Sequence, residues 1–227
     1  MKRMLIFLGL LGGLPGALLA GERVLVCLGD SLTAGYGLSE DKAYPALLPA
    51  SLPGWTVVNA GVSGDTTAGG LKRLDWALRS QPDAVLVALG ANDGLRAVPV
   101  EATEANLRAI LQKIKASGAK AYLAGMDLPT NLGDAYRDQF KAVFKRVAKA
   151  EKVETLNFLL AGVGGHPELN QSDGMHPTEA GQVIVAATVT AFLKPKLAAL
   201  PPRRRAEGTG ATKILRRRQK LSQGEDH

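Results

Sequence analysis

Ala84-Val85-Leu86-Val87-Ala88-Leu89 runs without a polar side chain and ends against Gly90-Ala91-Asn92-Asp93-Gly94. A run that is apolar at every position, with no period of two, fits a strand covered on both faces, as in a parallel sheet between helices. Four further short apolar runs, at 24–28, 56–59, 119–124 and 154–156, read the same way. Helical spacings lie between them. Segment 44–52 is short, and 71–79 places Leu71, Leu74 and Leu78 on one face. In 100–117, Leu107, Ile110, Leu111 and Ile114 form an i, i+3, i+4, i+7 stripe that Gly118 ends, and 135–150 repeats it with Phe140, Val143, Phe144 and Val147. A last helix is expected from Pro177, a favoured first-turn residue, to about Leu193. This alternation predicts an α/β fold, a five-stranded parallel sheet with helices on both faces. Ligands then bind beyond the carboxyl ends of the strands, near the topological switch point.

The formal charge of +7 on 227 residues is confined to the ends. Residues 1–20 carry Lys2 and Arg3, residues 201–227 carry 8 basic and 3 acidic side chains, and 21–200 hold 18 of each sign. A neutral body argues against a nucleic-acid partner. Lys2-Arg3 followed by an uncharged apolar stretch from Met4 to Ala20 reads as a secretory signal, residues 1–20, either cleaved after Ala20 or kept as an uncleaved anchor. Either way the body, a single domain over 21–200, is expected in the periplasm or outside the cell. The Pro-, Arg- and Gly-rich segment 201–227 reads as a disordered tail, either a solvated charge run or a weak contact with an anionic surface. Cys27, the one cysteine, cannot form an intramolecular disulfide and reads as a core thiol.

Four segments, each expected after a strand, carry the residue types of acyl transfer. Gly29-Asp30-Ser31-Leu32 puts a serine at a strand-to-helix turn, as an exposed nucleophile or as a helix N-cap. Gly61-Val62-Ser63-Gly64-Asp65-Thr66-Thr67 holds Gly64, which can aim its N–H at a ligand or simply serve a capped loop. Asn92 can donate its side-chain amide to a developing negative charge, or make a turn. In Asp173-Gly174-Met175-His176-Pro177, the carboxylate can fold back onto the imidazole and fix its tautomer, the alternative being a helix-capping turn. Of the three histidines, His166, His176 and His227, only His176 reads as having a carboxylate at suitable spacing. Together the segments supply a nucleophile, a base, an orienting acid and oxyanion donors. The Gly-x-Ser-x-Gly elbow of α/β-hydrolases is absent around Ser31. The carboxylates and histidines suggest no three-ligand cluster, so no metal is expected.

The four blocks, in this order, resemble the GDSL or SGNH hydrolases over about residues 23–195. Gly29-Asp30-Ser31-Leu32-Thr33-Ala34-Gly35-Tyr36-Gly37, Asn92-Asp93-Gly94-Leu95-Arg96 and Leu128-Pro129-Thr130-Asn131 are most similar to the arylesterase and thioesterase I/lysophospholipase branch. That resemblance implies a flavodoxin-like three-layer α/β/α sandwich without a cofactor, acting on small-molecule carboxylic esters or thioesters. It also implies a triad of Ser31, Asp173 and His176, with oxyanion donors in the backbone N–H of Ser31 and Gly64 and the side chain of Asn92. Leu95, Val98, Leu128 and Pro129 follow strand ends and are expected to line an acyl site. The tail beyond Leu200 has no counterpart in the family pattern. The rival readings are a carbohydrate O-acetylesterase with the same triad, and a flavodoxin-like binding module without catalysis.

Overall fold

In the computed structural model, which describes residues 22–201, the chain enters through β1 (Arg23–Gly29). There follow α1 (Ser31–Ala34), α2 (Tyr44–Leu47), β2 (Trp55–Gly61), α3 (Thr67–Leu78), β3 (Ala84–Ala88) and α4 (Ala91–Leu95). The second half comprises α5 (Val100–Ala116), β4 (Lys120–Ala124), α6 (Asp134–Glu151), β5 (Glu154–Leu156) and α7 (Glu179–Ala198). The expected signal segment and all but the first residue of the basic tail lie outside the described residues. Among the described residues no helix is long and apolar enough to cross a membrane.

All strand pairs are parallel, in the order β2-β1-β3-β4-β5. Burial accounts for this order. Leu25–Leu28 of β1 and every residue of β3 are buried, whereas the edge strands β2 and β5 are only partly covered. Each Leu or Val so enclosed stabilises the fold by about 1.5–3 kcal/mol relative to exposure. The chain leaves β1 in one direction to reach β2, then crosses back over β1 to β3. Right-handed crossovers in opposite directions put α1 and α2 on one face of the sheet and α3, α5 and α6 on the other. Helices α5 and α6 lie side by side, their buried stripes joining the core with the strands, and α7 packs on α2. The switch point falls between β1 and β3, and their carboxyl ends open a cleft there.

Three helices differ from the sequence reading at their boundaries. Segment 44–52 breaks into α2 and a separate 3-10 turn, Leu48–Ser51, with Pro45 and Pro49 each in a first turn, where a missing N–H costs least. Helix α3 starts earlier than residue 71 because Thr66 caps it, its hydroxyl accepting from Gly69 N–H at 3.2 Å. Helix α7 starts at Glu179, not at Pro177. Thr178 is its N-cap, accepting from Gly181 N–H at 3.3 Å, while Pro177 stays outside in a bridge to Asn170. The helix also runs past 193 to Ala198, tolerating Pro195 in its last turn.

Candidate active site

At the end of β1 the cap of α1 is Asp30, not Ser31. Asp30 Oδ1 accepts from Leu32 N–H at 3.0 Å and its carbonyl from Ala34 N–H at 2.9 Å. Ser31 is therefore the first helical residue, and its hydroxyl is 2.8 Å from His176 Nε2. Strand β2 arrives close beside it: a Cβ on Gly61 would collide with the α1 backbone at Ala34. The following loop turns at Gly64, whose φ of +77° is a region that glycine occupies without strain.

Asn92 sits on the short helix α4 rather than in a plain turn. Its neighbour Asp93 is buried and ties α4 to the start of α3. Asp93 Oδ2 accepts from Thr67 N–H at 2.8 Å, Oδ1 accepts from the Thr67 hydroxyl at 2.5 Å, and Asn106 Nδ2 donates to Thr67 Oγ1 at 3.1 Å. Ser31, Gly64 and Asn92 thus line one cleft, although they come from three connections.

The segment carrying Asp173 does not directly follow its strand. A stretch from 157 to 172, with one 3-10 turn at Pro167–Leu169, separates it from β5. Asp173 folds back onto its own turn. Its Oδ1 accepts from the N–H groups of Met175 and His176, both at 2.9 Å, and its Oδ2 accepts from His176 Nδ1–H at 2.7 Å. The His176 N–H above all, with that of Met175 and the imidazole helping it against burial, holds the Asp173 carboxyl down to about 2. An ionised carboxylate on Nδ1 keeps the proton there, so Nε2 accepts from the Ser31 hydroxyl.

Gln171 braces this turn. Its N–H donates to His176 O at 2.7 Å, and its Nε2 donates to Tyr36 O at 2.7 Å and Pro177 O at 3.0 Å. The Tyr36 ring rests on the imidazole with centroids 4.6 Å apart. On α7, Gln182 accepts from Tyr44 N–H at 2.9 Å and donates to Leu32 O at 3.4 Å, joining the last helix to the first two. No sequence pattern marked Gln171 or Gln182. His166, against the sequence reading, also has a carboxylate nearby, pairing with Glu168 at 3.4 Å, but it does not line the cleft.

The cleft has a volume of about 560 Å³, and its wall includes Leu95, Leu128 and Pro129 together with Phe158 and Leu160. Val98 is not part of it. Ala97 adopts φ +50°, which returns Val98 N–H to Asp93 O at 2.9 Å, and Val98 O accepts from the Tyr136 hydroxyl at 3.3 Å. Val98 closes the turn after α4 instead of facing a ligand. Phe158 and Leu160 come from the stretch after β5 that had no periodic signal. Among the described residues no group of three His, Cys, Asp or Glu side chains is placed to hold a metal ion.

Asp30 is fully buried, and burial pushes its carboxyl up to about 6 against the Leu32 N–H and the nearby His176. Its Oδ2 has no hydrogen-bond partner among the described residues. The folded protein therefore holds this proton more tightly than the unfolded chain, whose carboxyl titrates near 3.8. Stability from this group is present at acid pH and is lost as pH rises from about 4 to about 6. The full loss is on the order of 3 kcal/mol. Asp30→Asn keeps an acceptor for Leu32 N–H and cannot ionise, so across that window the native protein should lose urea-unfolding free energy relative to the variant, by on the order of 3 kcal/mol. Parallel slopes for the two proteins would remove Asp30 as the cause.

Known proteins share this sequence pattern and fold. The GDSL-like lipase/acylhydrolase family model matches residues 27–184. Esterase TesA of Pseudomonas aeruginosa is 41% identical over 183 residues, covering 78% of this chain and 91% of that protein. The Escherichia coli protein thioesterase 1/protease 1/lysophospholipase L1 is 43% identical over 178 residues, covering 78% and 86%. The crystal structure of the psychrotrophic esterase EstA from Pseudoalteromonas sp. superposes with a TM-score of 0.74 at 32% identity, covering 78% of this chain and 99% of that one. With the family model spanning most of the described fold and relatives at this identity, the chain belongs to the GDSL-like lipase/acylhydrolase family.

Proposed function

We propose that this chain is a serine esterase that hydrolyses carboxylic esters or thioesters through an acyl-enzyme on Ser31. The observation that carries the reading is the relay from Ser31 Oγ to His176 Nε2 at 2.8 Å and from His176 Nδ1 to Asp173 Oδ2 at 2.7 Å. It opens on a cleft that Gly64 and Asn92 also line. His176 Nε2 takes the Ser31 proton as Oγ bonds to the substrate's carbonyl carbon. The Ser31 and Gly64 N–H groups and the Asn92 amide donate to the oxyanion that forms. Collapse expels the alcohol or thiol, to which His176 passes its proton. Water then attacks the acyl-enzyme by the same route and releases the acid. Asp173 stays ionised throughout and orients the imidazole.

The two curated relatives are named as an esterase and a thioesterase, which supports both leaving groups. Leu95, Leu128, Pro129, Phe158 and Leu160 offer an apolar wall suited to an acyl chain longer than acetyl. A p-nitrophenyl ester series tests this: kcat/KM should climb from acetate to medium-chain esters, whereas an acetate-only profile would favour the carbohydrate O-acetylesterase. A fluorophosphonate should label Ser31, which a binding module would not permit. The segment 1–20 is read as the export signal that takes the enzyme to the periplasm or beyond.

Asn92→Ala should lower kcat by about 10²-fold or more and leave KM nearly unchanged, because its bond tightens only as the oxyanion forms. A change in KM alone would make Asn92 a ground-state contact and place the third donor elsewhere.

A further inference from the structure

Arg73 stands on α3, outside the triad and outside the cleft wall, yet its guanidinium joins the connections that carry the two backbone donors. Its Nη2 donates to Gly29 O at 2.8 Å, at the end of β1 and two residues before Ser31. Its Nη1 donates to Ala60 O at 2.8 Å, near the end of β2 and four residues before Gly64. Its Nε donates to Asp65 Oδ2 at 2.6 Å, on the residue that follows Gly64. Gly29 O accepts in addition from Val62 N–H at 3.0 Å, and Asp65 Oδ1 from Thr66 N–H at 3.1 Å. The two charged side chains are only 19% and 11% exposed, so their bond is weakly screened. A planar guanidinium can fix three acceptors at set angles, which an ammonium cannot.

We propose that Arg73 is a positioning residue for the oxyanion hole. By holding Gly29 O, Ala60 O and Asp65 in one fork, it sets the separation of the Ser31 and Gly64 N–H groups before substrate arrives. The inference rests on the reading of those two groups as oxyanion donors. A plainer role would be to satisfy carbonyls at strand ends and add stability. The two roles differ in what they change. Preset donors act on the tetrahedral oxyanion more than on the ground-state ester. A stability role lowers the amount of folded enzyme but leaves the turnover of each folded site alone.

The test uses the full chain with Arg73→Met and, separately, Asp65→Asn, which leaves both carbonyl bonds in place. Active sites are counted with a fluorophosphonate, and turnover is expressed per labelled site. Arg73→Met should lose about 10²-fold in kcat per site, with KM changed by no more than about threefold. Its affinity for a trifluoromethyl ketone, which forms a tetrahedral oxyanion on Ser31, should fall by the same factor. Asp65→Asn should show the same pattern with about a tenfold loss, and it carries the test if Arg73→Met does not fold. Native kcat per site and native ketone affinity in the folded variants would overturn the proposal while Ser31 still labels. Failure of the native protein to label at Ser31 would instead bring down the esterase reading, and this inference with it.

Discussion

Ser31→Ala is expected to leave a folded protein whose kcat on a p-nitrophenyl ester has fallen by on the order of 10⁴-fold or more. The substitution deletes one oxygen, the one 2.8 Å from His176 Nε2. Ser31 is the first residue of α1, where alanine has good helix propensity, and the capping bonds of Asp30 are untouched. The melting temperature should therefore stay near the native value. The backbone N–H of residue 31 also remains, so substrate binding and part of the oxyanion hole persist and account for residual activity above water. A kcat within tenfold of native would end the covalent mechanism, since among the described residues no other hydroxyl shares this contact with the base.

His176→Ala should be about as damaging, because nucleophile and base act as one unit, and the double variant should be scarcely worse than either single one. Fluorophosphonate labelling at Ser31 should slow by a factor similar to the loss in turnover, which separates a missing base from a damaged pocket. Asp173→Asn should retain more activity than either, since it makes no bond to substrate. It would still disturb the tautomer that the 2.7 Å contact enforces. If His176→Ala kept near-native labelling, the proton would have to leave Ser31 by another path. His166, paired with Glu168 away from the cleft, offers none.

The legible parts of this protein were those whose cause is local. Strand β3 could be read because burial on both faces removes every polar residue from it. The contacts among Ser31, His176 and Asp173 were legible as candidates because Ser31 follows a strand at a glycine, because Asp173 and His176 share one turn, and because the four blocks together resemble one family. The unread parts act across the topology. Arg73 lies between Lys72 and Leu74 and looks like ordinary surface charge, and its three acceptors become neighbours only once β1 and β2 pair. Gln171 and Gln182 likewise reach backbone carbonyls and amides more than 100 residues away. Val98 was misread because a positive φ at Ala97 turned it from the cleft, and alanine gives no warning of such a turn. The helices whose limits shifted did so through proline and threonine chemistry at single positions, which outweighed their periodicity.

Gln182 ties α7 to the chain around Ser31, and His176 lies 145 residues beyond its nucleophile. Biosynthesis therefore delivers the working parts in a fixed order. By the time Asn92 has left the ribosome the proposed nucleophile and oxyanion donors exist, but the proposed base does not. On the proposed mechanism, a chain cut short before residue 176 lacks the base, and should turn esters over far more slowly however much of its sheet has formed.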